Sequence, residues 1–264
     1  MSNICFVAGD PSADVHTAHL IRALKQRDPN FTCSGLGGPT MQESGMDLLY
    51  DLTQAAAIGP VDAAKHIGHL IQARKTLKAH LEKNKPDRVV LVDFGDYNLP
   101  FIAPMVSKLG IPITYFISPQ IWAWGKWRIK YVKKYIDHLL VFFKFEEAFY
   151  KDLGVEATWI GHPLLETTEP QIPKEEAREK AGLNSWRMTL GLLPGSRKKE
   201  ITRHLPLLIE TAQKIAQQMP GIQFVIPKAP GLSIDIQSLI KPSDLDIIVT
   251  EGSLQTSLQL MDAQ

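Results

Sequence analysis

The sequence predicts an α/β protein made of two Rossmann-like domains with parallel sheets, and three observations support this fold class. Short apolar, β-branched runs alternate with longer segments of helical periodicity along the whole chain. These runs are apolar throughout instead of alternating, as is typical of parallel strands covered on both faces. The alternation stops at a stretch poor in apolar residues that contains two prolines, at 166–174, and then begins again.

The interruption at 166–174 divides the chain into domains. We expect an N-terminal domain at 1–165, a linker and connecting helix at 166–186, and a C-terminal domain at 187–264. A doubly wound sheet needs more than the three strands predicted in the second domain. The second domain is therefore expected to be incomplete.

The individual elements follow from the same periodicities. Strands are predicted at 4–9, 31–36, 88–92, 111–117, 138–143, 157–160, 188–193, 222–226 and 245–250. Helices are predicted at 15–26, 61–84, 97–109, 126–135, 145–152, 197–219, 232–240 and 254–260. A short helix is also expected after the turn at 37–39, and a loop at 55–61.

Composition excludes several classes of function. The 264 residues are 44% hydrophobic and 22% charged with a net charge of +1, which gives no support for nucleic acid as a partner. Cys5 and Cys33 lie in predicted strands, which indicates reduced thiols and a cytoplasmic protein. No spacing of Cys and His predicts a metal site, and neither a signal peptide nor a membrane span is expected.

The strand at 88–92 ends in the best-placed candidates for chemistry. Asp93 and Asp96 follow it directly, and ligands of open α/β sheets bind beyond the carboxyl ends of the strands. The alternative is that one of these acids only caps the helix that follows. From the spacing alone the two interpretations stay equally open.

Other polar residues follow predicted strands in the same way. The turn at 10–14 offers helix N-terminal N–H groups to an anionic or hydroxyl-rich ligand, although Ser12 or Asp14 could simply be an N-cap. His162 is a ligand-binding or a structural histidine. Tryptophans at 122, 124 and 127 could stack on sugars or line acyl pockets, and we expect at least one of them in the core.

Two segments are rich in basic residues. The predicted helix at 61–84 carries an apolar stripe beside lysines and arginine, so it is either an ordinary surface helix, which we favour, or a membrane-surface helix. The basic run at 126–134 is expected to be a solvated helix face. In the second domain, Gly195, Ser196 and Arg197 precede a helix in an arrangement that suits phosphate.

Seven motifs, in order along the chain, resemble the lipid-A-disaccharide synthase family. They are VAGDPSAD at 7–14, GGPTM at 37–41, VDFGDYN at 92–98, SPQIWAW at 118–124, FEEAFY at 145–150, GHPL at 161–164 and LLPGSR at 192–197. The resemblance implies the GT-B architecture of two Rossmann-like domains. It also implies a glycosyltransferase of lipid A biosynthesis in Gram-negative bacteria, peripheral on the cytoplasmic side of the inner membrane.

The implied reaction joins UDP-2,3-diacylglucosamine to 2,3-diacylglucosamine 1-phosphate, with inversion, release of UDP and no metal or other cofactor. Asp93 is expected to be the base or its orienting partner, and Arg197 to stabilise phosphate with Gly195 and Ser196. The remaining substrate-binding candidates are Ser12, Asp14, Asp96, Asn98, Gln120, Trp122 and His162. Of these, Asp96 and Asn98 could equally form a structural or capping pair.

The sequence departs from the family pattern in two places. The first loop, usually GExSGD in the family, reads GDPSAD here, with Asp10 in place of Glu and Ala13 in place of Gly. The family also continues past position 264 into a donor-binding segment and into helices through which it forms homodimers. A non-catalytic remnant that keeps acceptor or lipid binding is therefore the alternative function, and a nucleotide-sugar epimerase is a weaker third.

Overall fold

A computed structural model of the protein describes residues 2–53, 63–163, 165, 172–196, 198–229, 232, 234–240, 243–251 and 254–263. The chain divides into two compact units, Met1–Pro163 and Leu164–Gln264. The linker expected at 166–186 stays a prediction, since its first six residues lie outside the described ranges.

The first unit alternates strands and helices as the sequence predicts. Its strands are β1 (Asn3–Ala8), β2 (Thr32–Gly37), β3 (Asp47–Asp51), β4 (Arg88–Val92), β5 (Ile113–Phe116), β6 (His138–Val141) and β7 (Thr158–Trp159). Its α-helices are α1 (Pro11–Arg27), α2 (Pro39–Glu43), α3 (Ala63–Asn84), α4 (Ala103–Lys108), α5 (Ile129–Tyr135) and α6 (Lys144–Asp152). The loop predicted at 55–61 lies outside the described residues.

The seven strands form one parallel sheet in the order β3-β2-β1-β4-β5-β6-β7. The order runs backwards from β1 to β3 and forwards from β4 to β7, so it reverses between β1 and β4. Loops leave the sheet on opposite sides at such a reversal, which opens a crevice at the carboxyl ends of the two strands. This topology fixes where a ligand site can form before any side chain is considered.

Both faces of the sheet are buried, because successive strand residues point to opposite sides. Val89 and Leu91 face a core layer shared with α3 and α4, whereas Val90 and Val92 face a second layer shared with α1. Continuous burial on two faces explains why the strands read as unbroken apolar runs. The predicted burial of both free cysteines, Cys5 and Cys33, is confirmed.

The second unit has a smaller parallel sheet. In the described residues its strands are β8 (Thr189–Gly191), β9 (Gln223–Lys228) and β10 (Ile247–Glu251), in the order β10-β9-β8. Its helices are α7 (Lys174–Lys180), α8 (Lys198–Gln218), α9 (Ile236–Ile240) and α10 (Leu254–Gln259). The buried Arg178 side chain pairs with Asp262, which also accepts the Thr189 backbone N–H at 2.8 Å.

The structure differs from the sequence prediction in several details, among them the helix predicted at 232–240, which begins only at Ile236. Strand β3 was not expected, since DLLYD is a half-buried edge strand whose pattern is too short and too polar to register as a buried run. The helix predicted at 97–109 is instead three consecutive pieces, a turn at Gly95–Tyr97, a π-helical turn at Asn98–Ile102 and then α4. Among the helices that the structure describes, none is both long and apolar enough to cross a bilayer.

Gly35 allows β1 and β2 to approach closely, and this gives a test of the sheet. A Cβ at position 35 would lie 2.0 Å from the Phe6 carbonyl oxygen, in backbone that cannot move aside. We expect Gly35→Ala to lower the free energy of unfolding by more than about 2 kcal/mol, as measured by urea denaturation.

Gly68, on the exposed side of α3, is the matched control for that substitution. A Cβ there would meet no atom within 4 Å. Gly68→Ala should raise the free energy of unfolding by roughly 0.5–1 kcal/mol, because alanine favours the helix. Equal effects of the two substitutions would contradict the assigned strand contact.

Candidate functional site

The candidate site of the first unit lies where the strand order reverses. Ala8 at the end of β1 pairs with Val92 at the end of β4. Asp10 and Asp93 follow these two strand ends within two residues, so a carboxylate leaves each side of the crevice. The position matches the sequence prediction for Asp93, whereas Asp10 was not among the predicted site residues.

A cavity of about 390 Å³ opens at these strand ends. It is the larger of two neighbouring cavities in the first unit and is called the larger cavity below. Its polar lining includes three acids, one arginine and an exposed glutamine, and Trp124 forms part of its wall. The lining residues are Asp10, Asp93, Phe94, Gly95, Asp96, Ile117, Ser118, Pro119, Gln120, Trp124, Arg128 and Phe142. The structure therefore brings together the predicted residues Asp93, Asp96 and Gln120.

The carboxyl group of Asp93 is unusually basic for an aspartate. Its pKa is raised to about 6, first by burial and second by the neighbouring Asp10 carboxylate, while a hydrogen bond from the Phe94 backbone partly opposes both. A carboxylate with a pKa near neutrality accepts a proton more readily than an ordinary aspartate does. Desolvation with a specific charged partner in a cleft is typical of functional residues.

The backbone around the larger cavity is strained. Asp93, Phe94 and Ile117 all have left-handed conformations, with φ of +42°, +46° and +59°. Such values are uncommon for any residue except glycine and costly for a β-branched one. All three residues line the larger cavity, and strain of this kind concentrates at functional sites.

Two side chains hold the strained turn after β4. The Tyr115 hydroxyl donates to the Asp93 carbonyl oxygen at 2.5 Å, and Asn98 Nδ2 donates to the same oxygen at 2.9 Å. Asn98 is fully buried, so it supports the turn from below and does not reach the cavity. These contacts favour the structural alternative for Asn98, whose predicted contact with substrate stays a prediction.

Neither Asp93 nor Asp96 caps the short helical turn that begins at Gly95. The N-cap position is Phe94, without a side-chain hydrogen bond, and Asp96 instead forms an ion pair with Arg128. Arg128 is buried and its guanidinium lies against the Trp124 ring. The expectation that the whole basic run at 126–134 is solvated is therefore wrong for Arg128, because the carboxylate and the indole hold it inside.

A smaller cavity of about 160 Å³ lies beside the first and shares Asp93 with it. Ser12, His16 and His162 line it, and the His162 ring packs edge-on against Phe142, 4.8 Å away. Burial lowers the pKa of His16, and the nearby His19 and His162 lower it further. A neutral imidazole can accept or donate a hydrogen bond to a hydroxyl-rich ligand.

Asp14 holds the first loops together and is not among the residues that line the two cavities. Its buried carboxylate accepts the backbone N–H groups of Gly38, Thr40 and Met41 at 2.9–3.1 Å, and so joins the start of α1 to the start of α2. The N-cap of α1 is Asp10, whose Oδ1 accepts the backbone N–H of Ser12 and Ala13. Asp14 therefore acts behind the cavities, as Asn98 does.

Trp122 lines neither cavity. Its Nε1–H donates to Glu146 at 3.1 Å, and its ring packs edge-on against Phe145. It is only half-buried, and Trp124 and Trp127 are mostly exposed, so the expectation of a tryptophan in the core is wrong. These rings pack against aromatic and charged neighbours at the carboxyl end of the sheet.

In the second unit, the predicted phosphate loop lies before α8. Gly195 has φ of +117°, and the Ser196 backbone N–H donates to Glu200 at 3.1 Å. Arg197 lies outside the described residues. A cavity of about 560 Å³ lies elsewhere in this unit, beyond the carboxyl ends of β9 and β10, and includes the Lys228–Glu251 ion pair.

Some site residues could not be recognised from sequence. Asp10 was visible only as a departure from the family loop, and its N-cap position was the available signal. Arg128 gave no signal, because one buried arginine in a basic run looks like its neighbours.

In the part of the chain that the structure describes, no three His, Cys, Asp or Glu side chains are arranged to hold a metal ion.

Solved structures share this fold at low sequence identity. The UDP-GlcNAc 2-epimerase of Neisseria meningitidis, bound to UDP-GlcNAc, matches with a TM-score of 0.65 at 13% identity, over 98% of this chain and 74% of that one. A glycosyltransferase of kitacinnamycin matches with a TM-score of 0.61 at 15% identity, over 99% and 74%. Parallel sheets and a site at the strand-order reversal thus define a protein of the GT-B class, as predicted.

Sequence comparison identifies the family within this class. The model of the family described as lipid-A-disaccharide synthetase matches residues 4–262. The lipid-A-disaccharide synthase of Geobacter sulfurreducens is 38% identical over 98% of this chain and 68% of its own length. That of Coxiella burnetii is 36% identical over 92% and 65%.

The chain belongs to the lipid-A-disaccharide synthase family, the glycosyltransferases of lipid A biosynthesis. It spans about two thirds of the length of these relatives. The predicted family is confirmed, and the alternative of a non-catalytic remnant is not favoured.

The basicity of Asp93 can be tested independently of activity. Asp10→Asn removes the neighbouring charge and keeps an N-cap side chain, so the pKa of Asp93 should fall below about 6 while burial still holds it above the ordinary value. An NMR titration of the Asp93 carboxyl carbon measures this. Asp87→Asn, at the amino end of β4, is the control and should leave that pKa unchanged.

Proposed function

We propose that this protein transfers diacylglucosamine from UDP-2,3-diacylglucosamine to 2,3-diacylglucosamine 1-phosphate, with inversion of the anomeric centre and release of UDP. The observation that carries the proposal is Asp93, a carboxyl group with a pKa of about 6 at the strand-order reversal of a family member. An inverting transfer needs one base that takes the proton of the acceptor hydroxyl while the leaving diphosphate departs.

Asp93 suits the role of that base on three grounds. It lines the larger cavity and the smaller cavity, so a hydroxyl group bound in either can reach it. Its conformation is fixed by Tyr115 and Asn98, which limits the reorganisation needed during reaction. Its raised pKa strengthens it as a proton acceptor while leaving it mostly ionised above about pH 6.

The predicted phosphate loop at 194–197 is expected to contact the leaving group. Arg197 would neutralise developing charge on the diphosphate, and Gly195 and Ser196 would approach it through their backbone at the start of a long helix. Binding of UDP-GlcNAc by the epimerase of the same fold supports a sugar nucleotide as donor. The homodimer implied by the family resemblance stays a prediction.

Helix α3 supports contact with the surface of the inner membrane, as a peripheral cytoplasmic protein would make. Ile67 and Ile71 are 56% and 63% exposed on a helix whose residues Arg74, Lys75 and Lys78 are also exposed. The same helix packs against the core through Leu70, Leu77 and Leu81, as an ordinary surface helix does. Exposed aliphatic residues beside basic ones suit anionic lipid, where the acyl chains of both substrates would remain.

The base role of Asp93 predicts opposite effects on activity and stability. Asp93→Asn should reduce turnover by about 10²–10⁴-fold, measured as UDP release, because the amide cannot accept the hydroxyl proton. Asparagine tolerates a left-handed backbone, so the fold should persist. Turnover of the unsubstituted protein should fall as the pH drops through about 6, where Asp93 becomes protonated.

The stability effect follows from the same pKa. A carboxyl group whose pKa is higher in the folded than in the unfolded protein stabilises the fold at low pH, and this contribution is lost as pH rises from about 4 through about 6. Removing the charge should therefore raise the free energy of unfolding at pH 7 by about 1–3 kcal/mol. Near-normal turnover of Asp93→Asn would rule out the base role, whereas lowered stability would contradict the buried charge.

The proposed contact of α3 with the membrane surface predicts a loss of binding to lipid vesicles. Ile67→Ser combined with Ile71→Ser should weaken binding to vesicles of anionic phospholipid by at least about tenfold in a sedimentation assay, because two exposed apolar side chains no longer enter the bilayer surface. Leu207→Ser, at an equally exposed position on α8, is the control. Unchanged partitioning of the double variant would remove α3 from the proposed contact.

A further inference from the structure

The guanidinium of Arg128 is held by an aromatic ring and a carboxylate. Its side chain is 4% exposed, its Cζ lies 3.8 Å from the centre of the Trp124 ring, and it forms an ion pair with Asp96. Its Nε–H is buried with no acceptor among the described residues. The guanidinium is therefore placed by stacking and by one ion pair, without a full set of hydrogen bonds.

Trp124 remains open although Arg128 covers part of its ring. The residue is 60% exposed and lines the larger cavity together with Asp93. The guanidinium of Arg128 packs against the ring and supports one of its faces. The result is an indole fixed in orientation with its surface available to a ligand.

Gly125 makes this stacking sterically feasible. It has φ of +76°, and a Cβ at this position would lie 3.2 Å from Arg128 Cζ. Any other residue would both strain the backbone and crowd the guanidinium. Glycine at position 125 therefore permits the contact between Trp124 and Arg128.

The charge of the larger cavity selects the kind of ligand. Asp10, Asp93 and Asp96 line it, and Arg128, the cation among the described lining residues, is already paired with Asp96. A phosphate group placed there would meet two further carboxylates and be repelled. An uncharged ring with hydroxyl groups would instead donate hydrogen bonds to the acids and lay a face on the indole.

We propose that Trp124 is the stacking surface for the sugar ring of the acceptor and that Arg128, anchored by Asp96, is the positioning residue that holds this surface. The identification of the sugar as the acceptor's rests on the proposed function. The stacking surface explains why a buried arginine is paired with an exposed acid at this point, and it gives Asp96 an indirect role in substrate binding.

Binding of a soluble, short-chain diacylglucosamine 1-phosphate, followed by isothermal titration calorimetry, tests the proposal without needing turnover. Trp124→Ala should raise the dissociation constant at least about tenfold, because the stacking surface is lost. Arg128→Lys should raise it by roughly threefold or more, since an ammonium keeps the charge but cannot stack flat beneath the indole. Trp186→Ala, at an almost fully exposed position of the second unit, is the control and should leave the constant unchanged.

A double-variant cycle separates positioning from a general structural role. If Arg128 acts through Trp124, Arg128→Lys should add nothing to the effect of Trp124→Ala, so the double variant binds as the single tryptophan variant does. Additive effects would overturn the positioning role. Thermal unfolding checks each variant, and Trp124→Ala still decides the stacking claim if the arginine variants do not fold.

UDP release, measured in parallel, distinguishes this inference from the proposed function. Unaltered binding by Trp124→Ala with normal turnover would overturn the stacking surface and leave the transferase reaction in place. No binding of the glycolipid by the unsubstituted protein would overturn the inference, and absent turnover in the same sample would overturn the proposed function as well.

Discussion

The left-handed turn at Asp93 and Phe94 is the constraint on which the site depends. A strand that continued in extended conformation would carry the carboxylate away along the sheet, whereas the turn directs it into the crevice between β1 and β4. The conformation costs of order 1–3 kcal/mol per residue, so it persists only where neighbours hold it. Tyr115 from β5 and Asn98 from the following π-helical turn both donate to the Asp93 carbonyl oxygen, which offsets that cost.

Burial and charge then act on the same carboxyl group. Burial removes water from the Asp93 carboxyl group, and Asp10, the N-cap of α1, brings a second carboxylate close to it from the end of the adjacent strand. The raised pKa that suits Asp93 to its proposed role as a base therefore also makes the folded protein less stable when the group is ionised, a conflict that active sites commonly show. The buried Asp14 carboxylate differs from that of Asp93 in accepting three backbone N–H groups.

The sequence was most informative where one physical rule dominated. Strands buried on both faces produce unbroken apolar runs, so β1, β4 and β5 were predicted within about three residues, and the acids beyond β4 lie at the carboxyl edge of the sheet as predicted. Strand β3 and the burial of Arg128 depend on partners distant in sequence, which local patterns do not encode. The left-handed Ile117 was equally hidden, because its conformation opposes the preference of the residue itself.

The pairing of Ala8 with Val92 has a consequence for how the two acids are spaced. Ala8 and Val92 form the last pair of one backbone ladder, and adjacent strands lie about 4.8 Å apart whatever side chains they carry. The two chain segments that carry Asp10 and Asp93 therefore begin at a fixed separation. Changes in the length of the outer strands or of distant loops leave this starting distance unaltered, whereas a shift of register between β1 and β4 would change it.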